Sequence, residues 1–285
     1  MKFDKIILAI IVTAFTVGTT YAQKGAKEPR KDRFEFGLFV GASNYQGDLE
    51  ENLVNINSTQ LGYGGLVRYN INNKFSVRFG MDYGTITDAD SLATTHWRQK
   101  RNLSFKTTIL DGYLAIEYYF ASWSIGYKTF MSPYIFAGLG AFSFNPQAQY
   151  KGNWYDLQPL GTEGQGTLAY PDRQPYSLTQ LYIPFGGGLR INLGQSWWLA
   201  LECRANKTFT DYLDDVSKTY AAPEVLLAQH GYLAVALANR SNERGVFPDQ
   251  TGNHRGGSTN TTDWYFFTGI TISHTFKSKS PCYSF

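Results

Sequence analysis

The sequence holds only two cysteines in 285 residues, Cys203 and Cys282. Two thiols do not make the disulfide framework that staples a small secreted domain. Both read as free thiols, with Cys203 serving as a small apolar side chain on a strand. Histidine is as sparse. None of His96, His230, His254 and His274 has a serine or carboxylate at a recognisable catalytic spacing. A histidine-based hydrolase acting on lipid or peptide is therefore a distant reading, and no catalytic residue is expected.

Long apolar runs are missing too. Past the N-terminal stretch Ile6 to Phe15, no segment is apolar enough to span a bilayer as a helix. Charge is also low, at 17% of residues, and the net +3 sits at the ends. Residues 1–33 carry seven Lys/Arg against three acids and residues 277–285 carry two Lys, leaving 17 basic against 20 acidic side chains between. A body of slightly negative charge gives no footing for nucleic acid.

The N-terminus itself reads as an export signal over residues 1–22. Lys2 and Lys5 precede the apolar run, and Thr20 and Ala22 place small side chains for cleavage before Gln23. No cysteine follows the run, so a lipid anchor is not expected. Residues 23–33 form a basic leader, 34–276 a membrane domain, and 277–285 a tail.

What the chain has in excess is aromatic: 20 Tyr, 20 Phe and 6 Trp. Girdles at two membrane interfaces use such a surplus. The second excess is alternation. In the first such segment Phe34, Phe36, Leu38, Val40 and Ala42 share one face, and Glu35, Gly37, Phe39, Gly41 and Ser43 the other. Seven more segments follow, near Leu61–Ile71, Phe75–Tyr83, up to Phe120, Pro133–Phe144, Leu181–Leu193, Trp197–Arg204 and Trp264–Phe276. The fifth is apolar on both faces, which leaves its register open. A soluble β-domain would hide the bulky apolar side chains and expose the charges. Here charge shares a face with glycine, as lipid outside and a filled lumen inside require.

Connection lengths agree. Links after the second, fourth and sixth strands are short, at Asn72–Lys74, about Ala121–Ser132 and Gly194–Ser196, and the others are long. The expected fold is an all-β, transmembrane, antiparallel up-and-down barrel of about eight strands. It has long extracellular loops, a short helical insertion in the last loop, and both termini in the periplasm.

Eight strands leave room for side chains only. The inward set Glu35, Arg68, Arg78, Asp82, Asp111, Glu117, Arg190, Glu202 and Arg204 should pair across the lumen and plug it. The alternative is a small outer-membrane pore. In the last loop Asp211, Asp214 and Asp215 fall too irregularly for an EF-hand, and a helix start at Thr210 or Asp211 is expected instead. Pro223 then opens a helix that carries Val225, Leu226, Leu233 and Leu237. No metal or cofactor is expected. Lys24, Lys27, Arg30, Lys31, Arg33, Lys277 and Lys279 share one side of the membrane and could dock an acidic partner or lipid phosphates.

Several strings are familiar. Tyr45-Gln46-Gly47-Asp48-Leu49, Pro133-Tyr134-Ile135-Phe136-Ala137-Gly138 and Thr210-Asp211-Tyr212-Leu213-Asp214-Asp215-Val216-Ser217 are three. Asn239-Arg240-Ser241, His254-Arg255-Gly256 and Asp263-Trp264-Tyr265-Phe266-Phe267-Thr268-Gly269 are the others. Together they resemble the PorG-like outer-membrane barrels of the Bacteroidetes type IX secretion system. The resemblance implies a non-enzymatic outer-membrane protein, surrounded by outer-membrane lipids, that associates with periplasmic ring proteins of PorK and PorN type in secretion or gliding motility. The alternative is a pore or a stand-alone surface-binding barrel.

Overall fold

Asn72 turns the chain through its own side chain, whose carbonyl accepts from the amides of Lys74 at 2.8 Å and Phe75 at 2.9 Å. The computed structural model describes residues 34–50, 55–120, 123–124, 130–194, 196–245, 250–256 and 261–276. The signal segment, the leader, the tail and their docking cations lie outside the described residues, as does Cys282.

Among the described residues eight long strands close into a barrel. They are β1 (Phe34–Gln46), β2 (Gln60–Asn70), β3 (Phe75–Ala89), β4 (Ser104–Tyr119), β6 (Phe130–Tyr150), β8 (Thr179–Asn192), β9 (Trp197–Thr208) and β10 (Trp264–Phe276). Each pairs antiparallel with its neighbours, β1 with β10 and β4 with β6, so the sheet has no open seam. Two short strands, β5 (Trp123–Ser124) and β7 (Asn153–Asp156), pair with the two ends of β6. The short turns and the outer ends of β1 and β10 share one end of the barrel, here the turn end. The long loops share the other.

Alternation resolves as expected. Along β1 Phe34, Phe36, Leu38 and Val40 are exposed while Glu35, Gly37 and Phe39 are buried. Leu38 is 74% exposed and Leu139 71%, whereas Arg68 is 1%. A wall with greasy outward and charged inward positions is stable only with lipid around it. Aromatic pairs mark its edges. Phe34 with Tyr69 (5.1 Å) and Phe75 with Tyr118 (5.2 Å) stand at the turn end, and Tyr63 with Tyr83 (5.2 Å) higher up the same wall.

The fifth long strand takes the register its aromatics demand. Phe136, Phe142 and Phe144 point inward, and Ile135, Leu139 and Ala141 outward. Phe142 packs within the barrel on Tyr182 at 5.7 Å and Tyr265 at 5.5 Å. In the opposite register Ala137 and Ala141 would face the lumen and leave it underfilled.

Two helix expectations change. Thr210–Val216 forms no helix; Asp215 adopts φ 65° and the stretch folds inward over the barrel mouth. Buried hydrogen bonds to its carboxylates outweigh its capping propensity. The expected helix after Pro223 is two, α2 (Pro223–Gln229) and α3 (Tyr232–Ala238), broken where Gly231 takes φ 82°. A further helix, α1 (His96–Arg101), lies in the loop after β3, where no apolar period announced it.

Candidate functional site: a charge-filled lumen under a loop cap

Period-two alternation puts one inward residue from every strand at each level, so strand pairing decides which charges meet. Glu35 lies opposite Arg68 in the β1–β2 ladder. Arg68 ion-pairs with Glu35, and Arg190 ion-pairs with the other oxygen of the same carboxylate. Ser273 donates to Glu35 at 2.5 Å. On its other side Arg68 grips Glu117 through two nitrogens at 2.5 and 3.0 Å, a bidentate pair. Tyr119 donates to Glu117 at 2.6 Å. Arg78 bridges Glu117 (3.3 Å) to Glu202 (2.6 Å), and Tyr134 also donates to Glu202, at 2.6 Å.

A second layer sits nearer the loops. Arg204 pairs with Asp82 at 2.5 Å and Asp111 at 3.3 Å, and Tyr265 donates to Asp111 at 3.0 Å. Aromatic faces cover the guanidinium planes: Phe136 lies 4.0 Å from Arg78, Trp198 3.9 Å from Arg190 and Tyr113 4.4 Å from Arg204. All nine charged residues singled out in the sequence thus lie inside, joined by ion pairs. A cavity between the two layers, lined by Phe39, Asp82, Glu202, Arg204 and Thr271, measures about 10 Å³, the room of a single water.

Over the loop end lies a cap built from every long loop. Tyr45 at the top of β1 donates to Asp214 at 2.7 Å and to Asp263 at 3.2 Å. Asp214 also accepts from the Val216 amide at 3.0 Å, and Asp263 from the Leu213 amide at 2.9 Å. Burial pushes both carboxyls well above the usual range, with the negative charge of Asp48 adding to it at Asp214 and that of Asp214 adding to it at Asp263. Burial also pushes Asp211 up to about 7, with the negative charge of Asp48 behind it.

Arg255 is the hub. It donates to the Asp215 carbonyl at 2.6 Å, to Thr162 at 2.8 Å and to the carbonyls of Ala238 and Leu237 at 3.1 and 3.3 Å. Thr162 and Tyr176 hold the Asp215 carboxylate at 2.5 and 2.7 Å. Arg101 of α1 reaches the Arg255 carbonyl at 2.6 Å and Asp90 at 2.7 Å. Two glycines make room for these contacts. A Cβ on Gly47 would stand 2.0 Å from Asp263 and Tyr45, and one on Gly256 2.0 Å from Asp48.

Four of the six familiar strings therefore converge on this cap, and Asn239-Arg240-Ser241 joins it where Asn102 beside α1 donates to the Arg240 carbonyl at 3.3 Å. Arg101, Asp90 and Thr162 belong to it too, and sequence reasoning missed them because they lie in loops without periodicity. Tyr119 and Ser273 were not singled out in the lumen although their inward parity was readable, and Tyr134 lies on the strand whose register the sequence left open. Among the described residues no group of His, Cys, Asp and Glu has metal-binding geometry. His230 donates from Nε2 to the Gln165 carbonyl at 3.1 Å, and His96 opens α1, so the loop histidines are spread apart.

Residues 27–227 match the family model described as a domain of unknown function, DUF6089. The chain belongs to the DUF6089 family. No curated protein matches this DUF6089 chain. Similar solved structures include Neisserial surface protein A, at 11% identity and TM-score 0.41, covering 85% of this chain and 97% of that one. The outer membrane protein OprG from Pseudomonas aeruginosa shares 8% identity at TM-score 0.40, covering 88% and 100%. Ail, the attachment invasion locus protein of Yersinia pestis, shares 9% at TM-score 0.34, covering 85% and 99%; its structure holds the heparin analogue sucrose octasulfate. This DUF6089 member is an outer-membrane-type barrel, on the evidence of its own closed sheet and apolar outer wall.

Proposed function

We propose that this protein is a non-enzymatic outer-membrane barrel that anchors a type IX secretion or gliding assembly, with both termini in the periplasm. The observation that supports this most is the lumen, where four arginines are interleaved with five carboxylates and aromatic rings under a loop cap. A barrel with no free passage acts through its surfaces. The basic ends Lys24, Lys27, Arg30, Lys31, Arg33, Lys277 and Lys279 are the proposed docking groups for periplasmic ring proteins of PorK and PorN type.

A tagged pull-down from native outer membranes in mild detergent, with partners identified by mass spectrometry, tests this. The expected result is a ring lipoprotein and secretion components, lost when the basic ends are neutralised. A barrel recovered alone overturns the anchoring role. It would favour the second reading, a stand-alone surface-binding barrel. That reading draws support from a cleft of about 440 Å³ in the cap, between Tyr220, Glu224, Val235 and Asn242.

A further inference from the structure

The outer wall is not evenly covered. Where β10, β1 and β2 meet, the outward position on β2 is Gly65, between Tyr63 and Val67. With no side chain there, the wall is hollowed into a groove of about 700 Å³, floored by Gly65 and flanked by Leu38, Val40, Met81, Ile270 and Ile272. A Cβ on Gly65 would lie no closer than 3.6 Å to the Gly37 carbonyl and 3.9 Å to Leu38, so the hollow is open space rather than a tight backbone crossing.

The groove's depth in the membrane selects its occupant. It runs from Phe36, Trp197 and His274 up to Val40 and Ile270. Four residues on a tilted strand rise about 10 Å, and side chains extend the span to about 15 Å. The hydrocarbon core is about 30 Å thick. The groove thus spans one leaflet, too short for a transmembrane helix and matched to the acyl chain of a lipid. Its lining is graded in the same sense. The two polar side chains, the Trp197 indole and the His274 imidazole, meet edge to face at 4.8 Å at the turn end, where esters and phosphates of that leaflet lie. Above them every lining side chain is apolar.

We infer that this groove is a phospholipid site, holding one acyl chain from the leaflet at the turn end with its headgroup beside Trp197 and His274. The inference stands on the lipid-facing wall and is independent of the anchoring role.

The test is native mass spectrometry of the full-length barrel purified from outer membranes, comparing wild type with Gly65→Leu, which fills the floor. Ala141→Leu, an outward position on the opposite wall, is the control, and heat-modifiable gel mobility reports folding. The wild type and A141L should each retain about one phospholipid, and G65L roughly tenfold less, a loss equivalent to about 1.4 kcal/mol. Should G65L not fold, Ile272→Trp fills the groove from the other wall and is read the same way. Equal retention in wild type and filled variant overturns the site. So does equal loss in filled variant and control, absence of lipid from the wild type, or a polypeptide in its place.

Discussion

Arg68 shows how much one side chain can carry in a closed lumen. It is buried between Glu35 and Glu117, and each acid has another arginine, so no pair in the layer is isolated. Removing one partner leaves charge buried without compensation, which costs about 3–5 kcal/mol. Arg68→Met should lower stability by that amount, read from urea unfolding in lipid vesicles, and the variant should still bind no more ligand or ion than wild type. At the mouth the sign of a pH effect follows from the cap carboxyls. Asp211, Asp214 and Asp263 have folded pKa values above the ordinary carboxylate range, Asp211 at about 7. Between that range and 7 the folded cap holds protons the unfolded chain has released, so stability falls as pH rises. Hydrogen-exchange protection of residues 210–217, measured relative to the intrinsic rate at each pH, should be greater at pH 5.5 than at pH 8. Lower protection at pH 5.5 would contradict protonated carboxyls in the cap.

The elements outside the membrane are short, and tertiary packing maintains them. Helices α2 and α3 have seven residues each, well below the length at which isolated helices hold together. Leu237 of α3 is buried against Ala148 of β6 and Leu157, beyond β7. Leu237→Ala removes that contact and should cost about 2–5 kcal/mol locally. Hydrogen exchange should then rise across 223–238 while the membrane strands keep their protection. The strands differ in kind. Their hydrogen bonds close a ring, and their outward side chains need only lipid.

At the scale of the molecule, a filled lumen and a ring without an edge predict a barrel that does not conduct. Repeated insertions into planar bilayers should give no discrete channels. Deleting residues 212–260, which removes most of the cap, should leave a folded and still non-conducting barrel, because both charge layers lie within the strands. Discrete steps in that deletion variant would mean that the cap, and not the Arg–Glu layers, closes the lumen.

Sequence by itself determined the membrane wall. Period-two alternation is a local property, and the choice between lipid outside and charge outside was written in which residue types shared a face. It therefore gave the strand count, the short and long ends, and the nine lumen charges, from Glu35 to Arg204. Only the tertiary structure decided who pairs with whom. Glu35 meets Arg190 because the ring closes, 155 positions apart in the chain, and no local pattern encodes that distance. The cap was equally illegible. Thr210–Val216 has good helix-start chemistry, yet Tyr45 from β1, Thr162 and Tyr176 from the loop before β8, and Arg255 from the far end of its own loop bind its carboxylates and carbonyls and hold it in an irregular turn. A buried hydrogen-bond network assembled from every long loop overrides the preference of any one of them, because each acid taken from water must find its donors wherever the fold supplies them.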